Sequence, residues 1–426
     1  MDQNKTFTFQ GVSIWFICAI FFLYEYLLRT VIGTFQHPIM TDLELTSFQF
    51  SLLSSTMYLF IYSVMQIPVG LIVDRFGLKI SVLTGSVICA VSAIGFAFSH
   101  DYFTASCFRI LTGFGSSFGF ICLLVAVYDW LPAKNIAFLI GVSLFIGTMG
   151  PMLAAGPLES MSEAGDLDWR TVFSFLGGVG FILSGFIAFF VKNNRKKSGS
   201  YIVLNRPESI KKTMKTLVSK SQPWFIAFFA SLIYFSLEYL SENEGKIFLT
   251  LKGFSSTSAA YTLTLAWVGY GVGSPIIGWL SDYFKRRRPI MVMAALVSSI
   301  SVICLVFSNN YLVVATSFFF LGFGAGSQGV AFAAIAEQFK KAYLAAALSF
   351  NNALATFLGA VNAPILGSII DFSKTEGMPA HLSDYMLAFT ILAVLVSLSL
   401  IFPLFFIKET YCKSSADFTY LRWKKD

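Results

Sequence analysis

The chain has 426 residues, 56% of them hydrophobic and only 12% charged, with a mean hydropathy of +0.71. Soluble domains carry roughly 25% charged residues, so the composition excludes a soluble enzyme and a soluble nucleic-acid-binding domain. The net charge of +7 must then be explained by where the basic residues sit.

A bilayer core of roughly 30 Å needs about 20 apolar residues per helix. Twelve such runs follow one another, near residues 12–34, 51–73, 80–99, 104–128, 136–157, 172–191, 224–241, 259–280, 290–308, 311–336, 343–370 and 385–407. They are continuous rather than alternating, which excludes a strand barrel. The first run is too long for a signal-peptide core and is read as a retained helix. The expected fold is an all-α membrane protein with twelve transmembrane helices in two six-helix bundles. Residues 1–191 form the first bundle, 192–222 a basic cytoplasmic linker, and 223–426 the second bundle with a cytoplasmic tail.

With the N-terminus inside, cytoplasmic segments hold 24 of the 30 Lys and Arg, nine of them in the 192–222 linker and four in Lys285–Arg288. The outer loops hold four, Arg170, Lys246, Lys252 and Lys374. This positive-inside asymmetry puts both termini in the cytoplasm and accounts for the net charge without nucleic acid. The six cysteines show no metal-ligand spacing. His37, His100 and His381 fall in separate outer loops or helix ends, so no metal site is expected. Gly271-x-Gly273 lies inside helix 8 with no strand before it and is not a nucleotide fingerprint.

The halves repeat one another. Gly70-Leu71-Ile72-Val73-Asp74-Arg75-Phe76-Gly77 returns in degraded form from Gly278 to Lys285, 208 positions later. Gly113-Phe114-Gly115 in helix 4 matches Gly322-Phe323-Gly324 in helix 10, and Asp129 matches Glu337. Glu25-Tyr26-Leu27 in helix 1 matches Glu238-Tyr239-Leu240 in helix 7. Parallel repeats of this kind are a transporter plan.

Over essentially the whole chain the sequence resembles the major facilitator superfamily. Gly70–Gly77 with Lys79 fits that family's loop 2–3 signature, and Arg109-x-x-x-Gly113-x-Gly115 its helix 4 signature. The second-half loop keeps Asp282 but has Tyr283 where Arg is expected, with Arg286–Arg288 just after. The antiporter signature of helix 5 is only hinted at by Gly147, Gly150-Pro151 and Gly156-Pro157. Tyr24-Glu25-Tyr26, Arg29-Thr30 and Gln66-Ile67-Pro68-Val69-Gly70 look more specifically like the phagosomal nutrient transporters of intracellular bacteria and, more distantly, the lysosomal dipeptide transporters. The resemblance implies that helices 1, 4, 7 and 10 line a central path. It also implies that the loop charges lock the cytoplasmic side, and that the membrane is a bacterial inner membrane.

Ionisable residues inside spanning helices cost a few kcal/mol on insertion scales and normally face a cavity or a partner. Here they are Glu25, Arg29, Arg109 and Glu238, with Glu242 expected at the wet rim of helix 7. Glu25 lies about 20 Å along helix 1 from the inside. Glu25 and Arg29 share a helix face at i, i+4 spacing, so they either neutralise each other or meet substrate. In the functional reading Arg29 or Arg109 takes a substrate carboxylate, and Glu25 or Glu238 takes an amine or carries a proton. Glu238 has no basic residue near it in sequence and is the preferred proton carrier. Tyr24, Tyr58, Tyr62, Tyr234, Trp267 and Tyr270 offer rings with polar tips, and Gln328, Asn351 and Asn352 offer amides. The expected substrate contacts are Glu25, Arg29, Arg109, Tyr58, Tyr234, Gln328 and Asn351. The expected cytoplasmic gate is Asp74, Arg75, Lys79 and Asp129 in one half and Asp282, Arg286 and Glu337 in the other.

These readings converge on a secondary transporter working by alternating access, with proton-coupled uptake of an amino acid, short peptide or similar nutrient. Its expected partners are that small molecule, protons and the bilayer. No cofactor and no enzymatic activity are expected, and the chain is expected to act as a monomer. The alternatives are a siderophore or drug carrier of the same fold, and a non-transporting membrane receptor.

Overall fold

The computed structural model describes residues 7–132, 136–158, 161, 167–193, 217–339, 344–373 and 381–413. Most of the expected basic linker, residues 194–216, lies outside the described residues. Among the described residues all regular structure is helical, and twelve helices are long and apolar enough to cross a membrane. They are α1 (Phe9–Thr34), α2 (Phe48–Gly70), α3 (Arg75–Ala97), α4 (Tyr102–Val127), α5 (Phe138–Leu158), α6 (Trp169–Phe190), α7 (Ser221–Glu242), α8 (Ser256–Phe284), α9 (Arg288–Phe307), α10 (Tyr311–Glu337), α11 (Ala347–Ile370) and α12 (Leu382–Phe406). Alternate crossings gather the Arg75–Lys79 and Lys285–Arg288 turns at one end, here the basic end. Apolar side chains such as Phe103, Phe175, Phe189, Leu312 and Phe405 remain exposed on the outside of the bundle, as a lipid-facing surface requires.

Local signals set the helix limits. Asp101, Asp168, Ser255 and Asn310 each accept a backbone N–H of the first turn they precede, which satisfies donors the helix leaves open. The amide and hydroxyl of Thr104 hold the Asp101 carboxyl below its ordinary range, so this cap stays charged. The helix that continues from α2 into α3 kinks at Gly77, in the first turn of α3, where φ is +81°, a backbone conformation that favours glycine. A side chain there would also collide with Asn193, 2.8 Å from a Cβ.

The internal repeat reappears as equivalent packing. A Cβ on Gly113 would lie 2.6 Å from the Tyr58 carbonyl oxygen, and one on Gly322 would lie 1.8 Å from that of Ala266, 208 residues on from Tyr58. Gly115 lies against Cys89 of α3, and Gly324 against Ser298 of α9. In both halves, glycines on the fourth helix let its neighbours approach to backbone contact. The halves meet along α2 and α11, where Ser63 and Thr356 hydroxyls bond at 2.6 Å and Asn352 donates to Gln66 at 3.0 Å. They also meet along α5 and α8, where Gly141 abuts Pro275 and Gly156 abuts Thr264.

Candidate functional site

Between the halves, midway along the helices, lies a cavity of about 40 Å³. Helix α1 supplies Phe22, Glu25, Tyr26 and Arg29, and α2 supplies Tyr58 and Tyr62. Phe120 of α4, Leu144 of α5, Tyr234 of α7 and Tyr270 of α8 close the sides. Gln328 and Phe332 of α10 and Asn352 and Thr356 of α11 complete the wall. Spacings of three, four or seven residues bring these pairs onto one face of each helix. Phe120 and Phe332 meet with ring centroids 5.3 Å apart on the side nearer the basic end.

Glu25 and Arg29 share this wall but do not pair with each other. The Tyr58 hydroxyl donates to Glu25 Oε2 at 2.9 Å, and the carboxylate fits over Gly119, where a Cβ would come 2.9 Å from Glu25 Cγ. Arg29 instead reaches across to α7. It donates to Glu238 and to Glu242 Oε2, at 3.2 Å from Nε and 3.1 Å from Nη2. Two carboxylates thus flank one guanidinium, all three nearly sealed from solvent. Glu238 Oε2 and Glu242 Oε1 are buried without a hydrogen-bond partner. The Tyr26 and Tyr234 hydroxyls bond to each other across the same seam. Tyr270 donates to Gln328 Oε1 at 2.7 Å.

Several sequence expectations are corrected by this geometry. Glu238, isolated from basic residues in sequence, has Arg29 as its partner because the halves face each other. It stands behind Arg29 rather than in the cavity wall. Glu242 is not at a wet rim, since its side chain is only 10% exposed. Arg109 does not meet the cavity. Its guanidinium donates to the carbonyls of Leu28 (2.9 Å), Arg29 (2.7 Å), Leu53 (3.2 Å) and Ser54 (2.8 Å) and lies over the Tyr58 ring. The widened turn at Leu52–Thr56, where Met57 N–H bonds Leu52 O, turns Leu53 and Ser54 carbonyls toward it. Asn351 is fully buried away from the cavity with neither amide atom bonded, and its neighbour Asn352 lines the wall. Tyr24 is also elsewhere, donating to the Leu176 carbonyl at 3.0 Å. Phe22, Tyr26, Phe120, Leu144, Phe332 and Thr356 were missed. The i, i+4 spacing from Phe22 to Tyr26, from Gln328 to Phe332 and from Asn352 to Thr356 is the signal that marks some of them.

At the basic end, Arg287 rather than Arg286 holds the second-half acids. It bonds Asp282 at 2.7 Å and Glu337 at 2.7 Å. Lys285 adopts a left-handed conformation, which turns Arg287 inward and leaves Arg286 over the Tyr411 ring. Burial alone would pull the Arg287 guanidinium down. The hydrogen bond and charge of Glu337, then the charge of Asp282, outweigh it and hold the group more firmly protonated than usual. Glu409 and Thr410 join this node: Glu409 accepts the N–H groups of Arg287 and Arg288 at 2.9 and 3.0 Å, and Thr410 donates to Glu337. In the first half, Asn193 accepts the Lys79 N–H at 2.9 Å and Arg75 lies over the Phe76 ring. Asp129 is half-buried, and the side chain of Asp74 lies outside the described residues.

Residues 15–251 and 225–417 match the model of the Major Facilitator Superfamily, two overlapping matches that together span both halves. The chain belongs to that superfamily. It is therefore a multi-pass membrane transporter and not an enzyme. The hexuronate transporter of Bacillus subtilis (strain 168) is 22% identical over 388 residues, covering 87% of this chain and 90% of that protein. Human monocarboxylate transporter 6 is 30% identical over 118 residues, 26% of this chain and 21% of that protein. Among solved structures, a bacterial homolog of the human lysosomal transporter Spinster, in its inward-facing and unoccupied conformation, superposes with a TM-score of 0.68 at 16% identity. That match covers 93% of this chain and 97% of the other, and a bacterial Spinster homolog in an inward-facing and occupied conformation gives 0.65. At that identity the likeness concerns the fold, and it extends over nearly the whole MFS chain.

Proposed function

We propose that the protein is a proton-coupled secondary transporter that takes up a small amphoteric nutrient, an amino acid or short peptide, by alternating access. One observation carries this reading: Arg29 and Glu25, opposite charges bonded to different partners, line one small cavity among tyrosine hydroxyls and two amides. The guanidinium offers a fork to a substrate carboxylate, and Glu25 offers an acceptor to an ammonium group. In this reading the basic end is cytoplasmic and the other end outer, in a bacterial inner membrane, with the chain acting as a monomer. A cavity of about 40 Å³ is well below the roughly 300 Å³ of a ligand pocket, so the conformer is closed around its centre. Admitting substrate from outside requires Arg29 to part from Glu238 and Glu242. Proton uptake by Glu238, or by Glu25, couples the gradient to that step. The nodes of Asp74, Arg75, Lys79 and Asp129, and of Asp282, Arg287 and Glu337, serve the cytoplasmic closure.

The affinity to phagosomal nutrient transporters and lysosomal dipeptide transporters belongs to this same reading. The second reading is a sugar acid or other organic anion, favoured by the names of the relatives above, with Arg29 again taking the carboxylate. Glu25 and Arg29, bonded to other partners rather than to each other, speak against a siderophore or drug. Uptake into proteoliposomes decides among these. We expect accumulation of amino acids or dipeptides that at least halves when the inward proton gradient is collapsed, and that falls at least tenfold in Glu25→Gln. Uptake of hexuronates alone would establish the second reading. Gradient-independent uptake together with a normally active Glu238→Gln variant would refute proton coupling.

A further inference from the structure

A recess of about 400 Å³ opens on the surface of the second half at the basic end, within the roughly 300–1,000 Å³ of a ligand pocket. Arg286, Arg288, Pro289 and Val292 line it around the start of α9, and Glu409 and Tyr411 line it from the segment after α12. Val292 begins a row on one face of α9, with Leu296 and Ile300 at i+4 and i+8 and Ile303 beyond. Those three are exposed and apolar, as a lipid-facing surface requires. Trp279 and Tyr283, exposed near the end of α8, lie at the same end, as interfacial aromatic residues do. The recess therefore stands where a lipid headgroup would join acyl chains lying along α9.

Its charges are positioned for an anion. The widened turn at Phe402–Phe406 turns carbonyls outward, and Arg288 is fixed on them, with Nε donating to Pro403 O at 2.6 Å and Nη2 to Leu404 O. Its Nη1 makes no hydrogen bond among the described residues. Arg286 has its backbone tied to Ser281, through its N–H to the Ser281 carbonyl at 3.1 Å and its own carbonyl to the Ser281 hydroxyl at 3.0 Å. Its guanidinium lies over the Tyr411 ring, 5.1 Å from the centroid. Arg287 takes Asp282 and Glu337, and no described carboxylate forms an ion pair with Arg286. Tyr411 is held left-handed, with φ +54°, uncommon for an aromatic residue. Glu409 does not cancel the arginines. Its carboxylate is occupied by four backbone N–H groups, those of Arg287, Thr410 and Tyr411 on Oε1 and that of Arg288 on Oε2.

We propose that this recess binds the phosphate of an anionic membrane phospholipid, with the acyl chains along the exposed face of α9. The Arg286 fork takes phosphate oxygens, Arg288 Nη1 adds a second donor, and the Tyr411 ring steadies Arg286. A zwitterionic headgroup gains less, because Glu409 is already engaged and does not draw its ammonium group. Through Glu409 the lipid sits beside the Arg287 node of the basic end.

The experiment is a native mass spectrometry titration of the purified full-length protein with dioleoyl phosphatidylglycerol, dioleoyl phosphatidylethanolamine and inorganic phosphate. Phosphatidylglycerol is expected to bind at least fivefold more tightly than phosphatidylethanolamine. Arg286→Gln is expected to weaken phosphatidylglycerol at least fivefold, as loss of an arginine facing an anionic headgroup should. Lys408→Gln removes an exposed charge at the same end but outside the recess and should stay within twofold. Equal affinity for the two lipids overturns the proposal, as does unchanged binding in Arg286→Gln. An equal loss in Lys408→Gln would reduce the effect to diffuse charge, and inorganic phosphate binding as tightly as the lipid would assign the recess to a soluble anion; either result also overturns it.

Discussion

Two arginines show how far residue type is from residue role. Arg29 and Arg109 are both sealed inside spanning helices, yet one bridges the halves and the other ties α1, α2 and α4 within one half. Removing one member of a buried charge set costs about 3–5 kcal/mol because it strands the rest. Arg29→Gln leaves two buried carboxylates without their cation, so a lowered melting temperature and at least a tenfold loss of uptake are expected. Arg109→Lys keeps the charge but loses the rigid fork that reaches four carbonyls. It should lower the melting temperature by several degrees while leaving KM for uptake within twofold; a selective rise in KM would instead place Arg109 at the substrate.

At the scale of elements, the two loop signatures reach one end by different routes. In the second half the expected Arg position holds Tyr283, and Arg287 takes up Asp282 and Glu337 from beyond the left-handed Lys285. Arg287→Gln should therefore destabilise the protein measurably, and Arg286→Gln should not; equal shifts in a thermal melt would show that the cluster acts only as diffuse charge. The glycine pairs make a second test. Gly113→Leu and Gly322→Leu each push a side chain into backbone of a neighbouring helix, and overpacking of this kind costs typically 1–3 kcal/mol. Comparable losses of folded protein in both variants are expected from the shared packing.

Across the whole molecule, the closure at the end opposite the basic turns joins α1 and α2 to α7 and the turn after it, through Arg29, Glu238 and Glu242 and through Ser55 and Asn243. Alternating access needs this layer to separate. A Ser55→Cys/Asn243→Cys pair should, on oxidation, abolish uptake, and reductant should restore it. Full uptake by the oxidised pair would show that the layer stays closed during transport.

Hydrophobic run length and charge asymmetry depend only on local sequence and on the bilayer. For that reason the twelve helices, the repeat and the ionisable residues of α1, α4 and α7 were all legible in the chain. Which of those charges meet was not. Glu25 and Arg29 are neighbours on one helix, and Arg29 and Glu238 are 209 residues apart. The choice of partner depends on which faces the two bundles turn toward each other, set by glycine contacts and widened turns over many helices. The same long-range packing withdrew Arg109 and Asn351 from the cavity, brought in Asn352, and chose Arg287 over Arg286.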